Sequence, residues 1–123
     1  MNFSASLASA ALVSLSCLFP AFSRASTSVA VDSWLLKYAA DACINDAMRA
    51  ANQVGFTINQ EVIKYGPRNQ NRILYASSID AYSMAFACEE SDGTVGLAVS
   101  GLNNDMTFQM YQAVLKAYES LLV

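Results

Sequence analysis

Apolar residues recur along this chain with two different periods, and the change from one to the other marks out its elements. Between Ser33 and Gln53, the residues Leu36, Ala40, Cys43, Ile44, Ala47, Met48 and Ala51 follow at spacings of three and four, the period of one face of an α-helix. Asp32 or Ser33 serves as the cap and Gly55 as the stop. The spacing predicts a helix over 33–53 with Cys43 on its buried stripe and Lys37, Asp41, Asn45, Asp46, Arg49 and Asn52 around the rest. Trp34 opens that helix as a packing residue at the core or its rim, stacking on a ligand being the other use of such a ring.

From Phe56 to Leu102 the pattern turns to β-branched and aromatic residues separated by turn signals, which predicts strands. The first lies within 56–65, where Phe56 and Ile58 alternate with polar neighbours before Val62 and Ile63. A polar loop follows over Gly66–Asn71, and a second strand begins near Arg72 with Ile73, Leu74 and Tyr75. Residues 77–80 read as either a turn or a bulged continuation. Two runs then flank Glu90-Ser91-Asp92-Gly93, the signature of a β-hairpin over 82–100 with Gly93 free to take a positive φ. Tyr82, Met84, Phe86 and Cys88 share one face of it, and Ala81, Ser83, Ala85 and Ala87 share the other. Asn103, Asn104 and Asp105 signal a turn and cap, and Met110, Tyr111, Val114, Ala117, Tyr118 and Leu121 form the stripe of a last helix ending near Leu121. That helix, widened by Phe108, Leu115 and Leu122, is more apolar than packing on one side requires. The order predicts an α+β fold: a two-layer sandwich with an N-terminal helix, a three- or four-stranded antiparallel sheet and a C-terminal helix, both helices on one sheet face.

Ahead of these elements lies an uncharged run from Ala5 to Phe22, broken at Pro20 and followed by Ser23-Arg24-Ala25. Small residues at 23 and 25 suit a signal peptidase, so 1–25 read as a cleaved signal peptide. The alternative is an uncleaved anchor, since Met1-Asn2-Phe3-Ser4 lacks a basic residue and the run is about long enough to span a bilayer. Cys17 does not sit in a lipoprotein pattern. Residues 26–31 read as a flexible segment and 32–123 as a single domain. The expected destination is periplasmic or secreted, with membrane contact only through an uncleaved signal segment.

An oxidising destination changes how the cysteines are read. Of the three in the chain, Cys43 and Cys88 remain after cleavage, and an even pair there is most simply one disulfide. It would close a loop of about 45 residues, worth roughly 4 kcal/mol in the chain-entropy account. Two buried free thiols are the alternative. The bond also forecasts a layering: Cys88 must face the first helix, so Tyr82, Met84 and Phe86 do too, and the small-residue face is left more open or covers a second layer.

The chain contains no histidine and carries a net charge of −3, which becomes more negative once Arg24 is removed. Without histidine, Ser-His-Asp and Cys-His nucleophile systems and His-ligated zinc, copper and haem sites are excluded. No cation cluster exists for nucleic acid, no Gly-rich phosphate motif lies between a strand and a helix, and no cofactor is expected. Three weaker candidates remain. Glu89, Glu90 and Asp92 surround one turn and offer oxygen ligands to a hard cation such as calcium, or paired carboxylates for acid-base work, although acidic turns are ordinarily solvated. Lys64, Tyr65 and Arg68 could meet an anion. Met48, Met84, Met106 and Met110 are soft ligands in principle, but three fall on apolar stripes where packing explains them.

These readings favour a small exported noncatalytic binding or accessory module that meets a protein partner, a second copy of itself or a small apolar ligand. A hydrolase using carboxylates, or a self-assembling envelope structural subunit, are the alternatives. The discriminator is structural: an enzyme would gather at least two of Glu61, Tyr75, Asp80, Tyr82 and Asp105 in a cleft, and a binding module would expose an apolar patch instead. No motif in the chain identifies a family.

Overall fold

The computed structural model describes residues 28–122; the expected signal peptide, its cleavage point and Cys17 lie outside them. Seven elements follow in order: β1 Ser28–Leu35, α1 Ala40–Val54, β2 Ile58–Tyr65, β3 Asn71–Ser77, β4 Ser83–Glu89, β5 Thr94–Gly101 and α2 Asn104–Ser120. The fold is α+β with one antiparallel sheet and two helices. The sheet has five strands in the order β1-β5-β4-β3-β2, not three or four.

The additional strand comes from the segment expected to be loose and from the expected first turn of the helix. Ser28–Leu35 pair in register with Thr94–Gly101. Their own sequence alternates, with Val29 and Val31 on one side and Ala30 and Trp34 on the other, and the unpaired outer edge of β5 supplies a template that propensity alone does not reveal. Helix α1 therefore begins seven residues later than its apolar spacing predicts. Ala39 at its N-cap makes no side-chain bond. Instead Glu90, on the distant β4–β5 turn, accepts the Ala40 N–H at 2.6 Å and places a carboxylate at the positive end of the helix. The far end closes as the sequence implies, with Gly55 at φ 106° and its N–H bonded to the Ala51 carbonyl.

Side chains alternate strictly across β4 and β5. Met84, Phe86, Cys88, Val95, Leu97 and Val99 are buried, and the residues between them are only partly covered. Cys88 is bonded to Cys43 of α1. Phe86, two residues away and so on the same side of the strand, lies with its ring centroid 4.8 Å from that of Tyr118 of α2. The buried alanines of α1, Ala40, Ala47, Ala50 and Ala51, let its backbone approach closely, while Tyr111, Val114 and Tyr118 fill the core from α2. Asn103 caps α2, its Oδ1 accepting the Met106 N–H at 2.9 Å, as the Asn-Asn-Asp signal predicts.

Candidate functional site

A cleft of about 400 Å³ opens where the end of β1 and the following loop meet the C-terminal half of α2, a size within the range of small-molecule sites. Trp34, Leu35 and Tyr38 line one side and Leu115, Tyr118 and Leu122 the other, with Asp32, Lys37 and Glu119 also contributing. Trp34 is held by its strand position opposite Val95. Its ring stands edge-on to Phe86 at 5.9 Å and tilted against Tyr118 at 5.8 Å, so the aromatic wall is braced by the core.

Polar groups behind that wall are already committed. Tyr38 donates its hydroxyl proton to Asp46 Oδ2 at 3.0 Å, which leaves Tyr118 as the donor in the 2.7 Å bond between the two hydroxyls. Burial, then the bonds to Tyr118 and Asp46, holds the Tyr38 phenol far above its usual range, and burial does the same to Tyr118. Tyr111 is raised by burial and next by the adjacent Asp32 carboxylate. These phenols keep their protons, and the cleft offers ring faces and aliphatic carbons more than free donors. Among the described residues the salt bridges are Arg49–Asp46 and Arg72–Asp41; neither involves a lining charge.

The structure divides up the residues singled out in the sequence. Of the acidic turn, Glu90 caps α1, Glu89 accepts the Tyr65 hydroxyl at 2.5 Å and faces Thr94 at 3.4 Å, and Asp92 is exposed. The hydrogen bond to Glu89 reinforces burial in raising the Tyr65 phenol. Lys64 lies opposite Arg72 and Tyr65 opposite Asn71, so Lys64 and Tyr65 point to opposite sides of the sheet and do not join Arg68 in one site. Met84 is buried, Met48 and Met110 pack against the core, and Met106 is exposed. Glu61 and Tyr75 stand side by side as cross-strand partners, outside the cleft; Asp80 and Tyr82 sit on the β3–β4 loop and Asp105 on the first turn of α2.

Sequence reasoning missed Tyr38 and Asp46 as a pair and took Trp34 as the start of a helix. No local signal marked the first, because Tyr38 fell inside the expected helix and its other hydroxyl partner, Tyr118, is 80 positions away.

The sheet also has an outer side, away from Phe86 and Cys88. Strand register sets up two rows across it, Val31–Ala98–Ala85–Tyr75–Glu61 and Ser33–Gly96–Ala87–Ile73–Ile63. Small residues form the middle, and large apolar residues rise towards both edges, with Val29, Val31, Ile63 and Tyr75 exposed. No known protein-family model matches the chain, and no curated protein matches it.

Proposed function

We propose that this protein is an exported, noncatalytic binding module, periplasmic or secreted, that holds a small apolar ligand in the cleft between β1 and α2. The observation that carries the reading is the cleft itself: a cavity of ligand size walled by Trp34, Tyr38, Tyr118, Leu115 and Leu122, with the tyrosine hydroxyls engaged at its back. Six of the nine lining residues are aromatic or aliphatic, with Asp32, Lys37 and Glu119 beside them, which favours a mainly apolar body over a sugar or peptide. A hydrolytic reading gains no support here, because none of Glu61, Tyr75, Asp80, Tyr82 and Asp105 lines the cleft.

Export is supported by the Cys43–Cys88 bond, since such bonds persist in oxidising compartments. The two-layer arrangement, with both helices over one sheet face, is part of the same reading. Its support is that Cys88 and Phe86, on one side of β4, bind α1 and meet α2 respectively.

Trp34 is the chain's single tryptophan, so intrinsic fluorescence reports on the cleft directly. Titration with the neutral fluorophore N-phenyl-1-naphthylamine is expected to quench Trp34 saturably, and Leu122→Glu, at a half-exposed wall position, to weaken that binding at least ten-fold. A Trp34 signal that never saturates, or that L122E leaves alone, rejects the ligand site. Export is checked separately by sequencing the N-terminus of chain recovered outside the cytoplasm: a start near Ser26 is expected, and intact Met1 favours the anchor.

A further inference from the structure

We propose that the outer side of the sheet is covered by a second copy of this chain, packed face to face about a two-fold axis parallel to the strands. This inference is independent of the cleft, which lies on the other side of β1.

The two middle rows of the surface are self-complementary under that one operation. A two-fold running along β4 reverses each cross-sheet row onto itself. Tyr75 of one copy then stands over Ala98 of the other, Ile73 stands over Gly96, and Ala85 and Ala87 meet their own counterparts at the axis. In these two rows the bulkiest positions fall on the smallest, the interdigitation that lets two sheets approach to about 10 Å. An unrelated partner would have to supply the same alternation; the second copy already has it.

The outer side carries two carboxylates, Glu61 and Glu89, and Glu89 is held by Tyr65 and Thr94. Glu61 lies on edge strand β2, and the two-fold sets it over Val31 of the uncharged β1 row, at the rim, where its carboxylate stays in water. Glu89, the next outer residue of β4 after Ala87, meets its own counterpart where the strand ends, a repulsion that salt screens. Five strands at about 4.8 Å spacing and seven or eight residues at about 3.3 Å rise give a face of roughly 500–600 Å². Two such faces bury roughly 1,000–1,200 Å², at the threshold for a specific interface and below that of obligate dimers. A dimer of that size should be reversible, dissociating on dilution.

The test is sedimentation of the full chain, expressed with its own leader and purified from the compartment that receives it, from about 1 to 200 μM. Twice the chain mass at the upper end, falling to one at the lower, is expected. Ala98→Glu, which sets a carboxylate under Tyr75 of the other copy, should give a monomer with unchanged circular dichroism. Lys116→Glu on the exposed side of α2 should leave the dimer intact. A wild-type chain that stays monomeric throughout overturns the proposal, whether its outer face is bare, bound to another protein or covered by retained leader residues. A dimer that survives A98E overturns it as well and points to pairing through the edge strands β1 or β2.

Discussion

The two sides of this sheet are built from the same strands yet differ in what they bury. On β4, Met84, Phe86 and Cys88 are enclosed, while Ala85 and Ala87 between them are only partly covered. On β5, Val95, Leu97 and Val99 alternate with Gly96, Ala98 and Ser100 in the same way. Burying a large apolar side chain contributes about 1.5–3 kcal/mol and an alanine far less, so a strand with its bulk on one side gains most of its stability there. The other side is then free for contact without unfolding the chain. The disulfide and the aromatic cluster stabilise one surface, and changes on the opposite surface should act on association, not on folding.

The largest effect should come from unpinning the core side. Replacing Cys88 by Ser removes the crosslink and buries a hydroxyl, and should cost about 4 kcal/mol or more, a fall of roughly 20 °C in the melting temperature of so small a domain, measured by calorimetry. Alkaline titration is the next test. Tyr38, Tyr65, Tyr111 and Tyr118 all have phenols raised, burial being the first cause in each. An unfolded tyrosine ionises near ~10, so above that pH the folded chain binds more protons than the unfolded one. The stability these groups contribute is complete below about pH 10 and is lost as pH rises beyond it. The melting temperature should fall over that range, and the tyrosinate absorption of these four should appear with unfolding and not ahead of it; ionisation near pH 10 in an intact fold would show them to be solvated.

Gly101→Ala should cost about 1–3 kcal/mol in a urea denaturation curve. A Cβ there would run into the Tyr82 ring, and the ring belongs to a buried residue that has little room to withdraw. The sharpest comparison is one substitution made twice. Val99→Thr, at a fully buried position, places a hydroxyl in the core and should lose about 1–3 kcal/mol; Val31→Thr, at 69% exposure on the outer side, should stay within about 0.5 kcal/mol. Equal losses for the two would mean that the outer side is covered within the chain.

Local signals accounted for a good part of this architecture. The hairpin around Gly93, the caps at Gly55 and Asn103, and the i, i+3, i+4 stripe that carries Cys43 depend on neighbours a few positions apart, and each appears where the residues imply it. The alternation on β4 likewise showed which residues share a side with Cys88, and the Cys43–Cys88 bond is the pairing expected of the two cysteines that follow the uncharged N-terminal run. What sequence by itself did not determine was whatever depends on a distant partner. Ser28–Leu35 is a strand because β5 offers it an unpaired edge, Glu90 is a helix cap because the hairpin brings it to Ala40, and the cleft exists because Trp34 and Tyr38 meet Tyr118 from the other end of the chain. Periodicity records which side of an element avoids water; only the packed tertiary structure decides what that side is pressed against, since hydrogen bonds and contacts between remote segments leave no spacing in the sequence to read.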